Sequence, residues 1–497
     1  MTSLMTENPK SSSRADNIAA VAGRGTIYIT AAKIWFVVSG AAIHFVLPRF
    51  LTPEQFGMYE VVVYVVSIVN AVIVTATYQS VSKRISEDEA NAGAVKARAL
   101  KLQVLVGGGA SLGFFLLAPV IAGYLNDLRL VPYLRLASLI TLAYSFYAVF
   151  TGYFNGRRKF LAQACLDMSY STLKLGFIVL LVWLGYGIAG GIGGFALAAA
   201  SVLALSAVVA GKSKQENPVS ARQLLGFQAY VLLFTLAINL LQRIDLIMVK
   251  ALSSPDASVA SENAGYYGAA INVANVTHQA IVSATFVIFP LISQSTFASD
   301  RERTRTYIAN ALRYTLMVMA LIATLFSANA GRVLSLIYKP EYQAGTAALS
   351  VVAYGMLLFG VLYVVTTIIS ASGRPAVSLI IAAITLGLSG ALNSMLIPSY
   401  GLVGAAIATT ASMFVGVAAA ASYLHFKFGA VMSAMSALRI AVCAAIIYAA
   451  SRIIEPSSKL LTLVQIVALS ISYVLALVAT KELGTGDLKV IARVFNK

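Results

Sequence analysis

Apolar residues run in blocks along nearly the whole chain, from about Thr26 to about Thr480, with short polar links between them. A bilayer core roughly 30 Å thick needs about 20 apolar residues per helix, and by that measure the pattern predicts about fourteen membrane spans. The first six are Thr26–Leu47, Gly57–Tyr78, Leu100–Gly123, Tyr133–Tyr153, Gln163–Leu184 and Ile188–Ala210. Six more follow at Leu224–Val249, Tyr266–Leu291, Tyr307–Ser327, Ala344–Ala371, Ala376–Ile397 and Val403–His425, and a last pair at Ala434–Ile454 and Leu460–Thr480. The predicted organisation is a tail over 1–23, six-helix lobes over 24–211 and 224–426 joined by a linker over 212–223, an extra helix pair over 427–480, and a tail over 481–497. The fold class that follows is an all-α polytopic membrane protein with two lobes around a central cavity. Short alternating strands of the β-barrel kind are missing from the pattern.

Charge then orients the spans. The chain carries 36 Lys+Arg against 19 Asp+Glu, a net +17. The basic residues concentrate in alternate links: Lys83–Lys101, Arg157–Lys159, Lys212–Arg222 and Arg301–Arg305, with Arg374, Lys427 and both termini on the same side. The other links hold isolated basic residues such as Arg49, Arg129, Lys250, Arg332 and Arg452. This positive-inside asymmetry predicts that both termini are cytoplasmic, in keeping with an even span number. It accounts for the net charge without a nucleic-acid partner. The first 23 residues lack the apolar stretch and small-residue site of a cleavable signal peptide. Cys165 and Cys443 lie in or beside apolar spans and read as packing residues.

Four short matches recur in one order at offsets of about 200 to 217 residues. IHFVLPRFL at Ile43–Leu51 matches IDLIMVKAL at Ile244–Leu252, and FGMYEVV at Phe56–Val62 matches AGYYGAA at Ala264–Ala270. NGRRKF at Asn155–Phe160 matches SGRPAV at Ser372–Val377, and GYGIAGGIGG at Gly185–Gly194 matches SYGLVGAAIA at Ser399–Ala408. Six spans per copy give the copies one orientation, with the symmetry axis along the membrane normal, an arrangement suited to alternating access.

The link LTPEQFGMYEVV, the seventh-span RIDLIMVKAL with its later GYYGAA, the eighth-span VIFPLIS and the two Gly-Arg links resemble Wzx-type polysaccharide flippases of the MOP exporter superfamily. The resemblance covers nearly the whole chain through loose motifs. It implies a MATE-like fold and translocation of undecaprenyl-pyrophosphate-linked oligosaccharide across the bacterial inner membrane, with no cofactor. The fourteen-span form also resembles MurJ-like lipid II flippases. Membrane lipids, a coupling H+ or Na+ and other polysaccharide assembly proteins are the partners it implies, and Asp245 matches an acidic position common in the Wzx-type group.

Charges inside a bilayer cost at least about 2.5–3.5 kcal/mol each and so face a cavity or a partner. The mid-span set is Lys33, Asp167, Lys174, Arg243 and Asp245, with Arg313 and Arg439 near enough to the cytoplasmic end to snorkel. Lys33, Lys174 and Arg243 are the candidates to meet a pyrophosphate. Asp167, Asp245 and His44, which aligns with Asp245 in the repeat, are candidates for ion coupling or structural pairing. Asp167 and Lys174 lie seven apart on one helix face, whereas Arg243 and Asp245, two apart, point to different faces. His278 reads as a packing residue, and the glycine clusters Gly107–Gly109 and Gly190–Gly194 as close-packing or hinge points. A cation-coupled drug exporter of MATE type shares the architecture, but such cavities favour acids. A membrane glycosyltransferase or polymerase is the other class weighed. No Asp-x-Asp pair and no catalytic or metal-ligand constellation stands in the sequence.

Overall fold

The computed structural model describes residues 9–211, 229–297, 300–429, 432–454, 456 and 458–484. The predicted inter-lobe linker lies outside the described residues, as do the first eight residues and 485–497 of the tails. Among the described residues the chain is all helical. The helices are α1 Pro9–Val46, α2 Pro53–Glu87, α3 Ala92–Tyr124, α4 Val131–Gly156, α5 Phe160–Leu181 and α6 Gly187–Ala210. They continue with α7 Ala229–Leu241, α8 Ile244–Leu252, α9 Ala257–Phe297, α10 Arg301–Ala328, α11 Ala330–Ile337 and α12 Thr346–Ala371. The last are α13 Pro375–Phe428, α14 Ala434–Ile453 and α15 Lys459–Ala479. The chain is a multi-pass membrane protein. Large apolar side chains point outward along these helices, from Leu105 and Val120 on α3 to Val467 and Leu475 on α15, as a hydrocarbon solvent requires.

Packing divides the chain into two units. The first comprises Met1–Phe50, Val66–Val120 and Arg129–Leu232. The second comprises Leu51–Val65, Ile121–Leu128 and Leu233–Lys497. Two short segments of the first half of the sequence therefore group with the second unit. In the first unit α5 packs on α1 and α6, and α6 on α4. In the second, α12 packs on α9, α10 and α13, and α8 on α9 and α13.

Three departures from the predicted spans have local causes. α1 begins at Pro9, well before the first apolar block. The seventh span is not one helix: α7 ends at Leu241 and α8 restarts at Ile244, with Arg243 (φ −131°, ψ −11°) out of helical conformation between them. α13 carries two spans in one continuous stretch, turned at Gly401, where φ is 55° and ψ −130°. Its counterpart Gly187, between α5 and α6, has φ 53° and ψ −133°. That backbone region is open essentially to glycine alone.

These two glycines belong to one of the four sequence matches, and the matching geometry extends around them. Gly190 lies against the Leu181 carbonyl and Tyr186, and Gly404 against the Leu396 carbonyl and Tyr400. At the Gly-Arg links the structural register is offset by two from the sequence match. Arg158 N–H donates to Asn155 O in the first copy and Gly373 N–H to Ser370 O in the second. Both Arg158 (φ 56°) and Gly373 (φ 84°) turn left-handed. Asn155 donates to Gln163 and Ser370 to Ser378 at the same spacing. The shared Gly-Arg letters pair Gly156 with Gly373; the backbone pairs Arg158 with Gly373, because the turn and not the side chain is what the two copies share.

Candidate functional site

In the first unit the sequence-predicted residues Lys33, Asp167 and Lys174 are brought to helices that pack together, α1, α5 and their neighbours. Asp167, half-buried, accepts a hydrogen bond from the Tyr147 hydroxyl at 2.6 Å. The Lys33 ammonium, exposed on α1, acts electrostatically on the Asp167 carboxylate. Trp35 Nε1 donates to Thr172 Oγ1 at 3.0 Å and fixes α1 against α5 two residues from Lys33. From Tyr147 an aromatic row continues through Tyr170 (6.2 Å between centroids) to Phe195 (6.4 Å). Lys174 Nζ stands 3.9 Å over the Phe195 ring. The shared face read from the seven-residue spacing is therefore a real one: Asp167 and Lys174 sit at the two ends of one aromatic row. A cation over a ring face is held by the ring quadrupole without losing its charge.

In the second unit Arg243 and Asp245 meet residues the sequence reading did not single out. Glu60, fully buried on α2, accepts from Asn272 Nδ2 at 3.3 Å, and the Tyr64 hydroxyl donates to Asn272 Oδ1 at 3.3 Å. The Arg243 guanidinium lies 4.7 Å from the centroid of the Tyr64 ring. It interacts electrostatically with Glu60 and Asp245; the residue as a whole is half-buried and its Nε is buried. Asp245 is buried and faces three neutral donors. Leu246 N–H is 2.8 Å from its Oδ1, and Tyr267 Oη and Thr409 Oγ1 are 2.8 and 3.2 Å from its Oδ2. The reading that Arg243 and Asp245 point different ways holds, but the helix break, not the two-residue spacing on a continuous helix, produces it. Glu60 carried a visible signal, an acid at the head of the apolar run EVVVYVVSIV.

Other predicted charges are placed differently. Arg313 and Arg439, expected to snorkel, both meet Glu482. Arg313 Nε lies 2.9 Å from Glu482 Oε1 and Arg439 Nη1 3.6 Å from Oε2. Arg313 also donates to the Glu482 carbonyl, and the Ser436 hydroxyl to its carboxylate. Lys250, counted among the link charges, is wholly buried and paired with Asp127 at 3.0 Å, and it also donates to the Ala257 carbonyl. Asp127 in turn accepts from Ser261. His44 sits half-buried in the last turn of α1. His278 packs on Phe359 and Tyr363, with ring centroids at 4.8 and 5.5 Å, and among the described residues neither of its buried ring nitrogens has a hydrogen-bond partner.

Membrane-length helices interrupted beside buried carboxylates and an arginine are features of a polytopic helical membrane fold with polar groups inside it. The sequence matches the family described as polysaccharide biosynthesis protein over residues 22–296, more than half its length, and the protein belongs to that family. The fold is similar to lipid II flippase MurJ in an inward closed conformation, with TM-score 0.71 and 14% identity over 92% of this chain and 99% of that one. It is also similar to an inward-facing multidrug resistance MATE family transporter of the MOP superfamily, with TM-score 0.63 and 14% identity over 80% and 95%. Two curated membrane proteins are related in sequence. YabM of Bacillus subtilis is 25% identical over 330 residues, 60% of each chain. MJ1068 of Methanocaldococcus jannaschii is 23% identical over 152 residues, 31% of this chain and 30% of that one. The match spans less than two thirds of the length of either.

Proposed function

We propose that the protein is a flippase that carries undecaprenyl-pyrophosphate-linked oligosaccharide across the bacterial inner membrane by alternating access, for surface polysaccharide biosynthesis. The observation that carries this reading is Arg243. It stands where a membrane helix is interrupted, lies against the face of Tyr64, and among the described residues closes no ion pair and leaves its buried Nε without a hydrogen-bond partner. A planar, always-charged fork held at mid-depth is the group that recognises a pyrophosphate through paired hydrogen bonds. Lys33 and Lys174 add positive charge on the first unit, and all three contact the phosphate-sugar head during passage. Asp245, Asp167 and His44 are the proposed coupling groups for H+ or Na+. Asp245 is the foremost of them, since among the described residues the hydrogen bonds to its buried carboxylate all come from neutral donors. The lobes of the proposal are 24–211 and 224–426, with both termini cytoplasmic.

Reconstitution tests the reading. Purified protein in liposomes moves lipid-linked oligosaccharide between leaflets without changing its mass, and Arg243→Ala removes most of that movement. Transport of cationic drugs in place of the lipid would favour the MATE-type alternative, and a cargo gaining or losing a sugar would favour a glycosyltransferase.

A further inference from the structure

Beside Arg243 lies a set of uncharged polar side chains that neither the coupling groups nor the ion pairs use. Asn239 and Gln242 stand three apart at the end of α7, Gln242 immediately before Arg243. Asn275 and Gln279 stand four apart on α9, hence on one face. Gln242 Nε2 donates to Asn275 Oδ1 at 3.4 Å, which turns this face of α9 toward the interruption between α7 and α8. Asn239 donates to the Thr235 carbonyl, one turn back on its own helix. Asn239, Gln242 and Asn275 are half-exposed and Gln279 is exposed.

The positions lie near the middle of their spans, α7–α8 and α9. A carboxamide exposed to hydrocarbon there is left without partners, at a cost of roughly 1–3 kcal/mol per group on protein mutational scales. Four amides near the middle of two neighbouring spans, three half-buried and one exposed, therefore argue for a polar surrounding. Interhelical glue would use these groups on each other, but among the described residues one bond joins the two pairs, and it is long.

Carboxamides each present donor and acceptor side by side and carry no charge. Sugar hydroxyls have the same dual character, so amides read them by neutral hydrogen bonds without desolvating an ion. Phosphate gains little from amides next to arginine. We infer that Asn239, Gln242, Asn275 and Gln279 form a saccharide subsite that reads the first sugars of the cargo while Arg243 holds the pyrophosphate. The inference rests on the flippase reading above and adds to it which residues distinguish glycan from bare carrier.

The test uses the full-length protein in nanodiscs and two probes. One is the lipid-linked oligosaccharide fraction extracted from source cells lacking this protein. The other is the same carrier stripped of glycan to polyprenyl pyrophosphate. Wild-type protein is expected to bind the glycosylated carrier about tenfold more tightly, the worth of one or two net neutral hydrogen bonds. Gln242→Leu, Asn275→Leu and Gln279→Leu bring that ratio toward one and leave affinity for the bare carrier within about twofold, since a neutral pair is worth little to an anion. Arg243→Ala weakens both probes. Gln279→Leu lies outside the Gln242–Asn275 bond, so its folding is not at stake. Equal binding of the two probes by wild type would end the saccharide subsite and leave the lipid-pyrophosphate reading standing. Binding of neither probe would end both. Variants with an unchanged ratio and a lowered melting point would return the amides to a structural role.

Discussion

Arg243 and Lys250 stand seven residues apart on the interrupted seventh span and have opposite surroundings. Lys250 is sealed against Asp127, Ser261 and the Ala257 carbonyl. Removing one partner of a buried pair strands the other charge, so Lys250→Met is expected to lower stability by about 3–5 kcal/mol. Adding Asp127→Leu to it restores most of the loss, and thermal unfolding in detergent of the single and double variants measures both. Arg243 predicts differently. Arg243→Ala abolishes most transport with a smaller change in melting temperature, while Arg243→Lys keeps the charge and more of the activity but loses the planar two-toothed contact. Flipping and melting measured on the same preparations separate the two arginine outcomes; a collapse of both in step would make Arg243 a structural residue. At this scale the sequence showed which spans carry charge. It did not show which charges are consumed, since partners such as Asp127 and Glu482 lie more than a hundred residues from Lys250 and Arg313.

Among the elements, glycines set the crossing and the turning of the helices. Gly57 on α2 and Gly265 on α9 face each other: a Cβ on Gly57 would overlap the Ser261 carbonyl, and one on Gly265 the Pro53 carbonyl. The two helices thus touch backbone to backbone through equivalent residues of the repeat, as small residues permit in membranes. Gly57→Leu overpacks this crossing and is expected to cost about 1–3 kcal/mol of stability or shift the helix start. Gly187 and Gly401 make a paired prediction. Their backbones match to within a few degrees, so Gly187→Ala and Gly401→Ala should each lower stability by about 1–3 kcal/mol and by similar amounts. Melting curves that differ widely between the two variants would show that the copies do not share that turn. The repeat was legible through these glycines because a positive φ restricts the residue type. Its register at Arg158 was not, because there a left-handed turn is taken by a non-glycine residue.

For the whole molecule, the extra helices α14 and α15 pack on α10 and are tied to it by polar contacts. Glu482 meets Arg313 and Arg439, and Tyr473 donates to the Met317 carbonyl deeper in the bundle. Glu482→Gln should cost about 1–2 kcal/mol, less than for a sealed pair because Arg439 is partly solvated. Orientation is a prediction at the same scale. Cysteines placed in the Lys83–Lys101 and Arg301–Arg305 links should resist an impermeant thiol reagent in intact cells, and one in Ala251–Gly265 should react. The reverse pattern would turn the molecule over and with it the direction of transport.

Class, span number and repeat follow from the sequence alone, because hydrocarbon imposes one solution on the backbone and twenty apolar residues are its local signature. The cavity candidates were likewise visible, since a charge in an apolar block stands out wherever it occurs. Tertiary structure decided what each charge does. The break before Ile244 lies inside a block that is apolar on both sides, and no proline or glycine marks it. Glu60, Asn272, Tyr267 and Thr409 join Arg243 and Asp245 only when α2, α8, α9 and α13 pack, bringing together positions up to 349 residues apart. Sequence spacing reaches one helix face; the partners that fix a buried charge come from other helices, and only the packed bundle sets that distance.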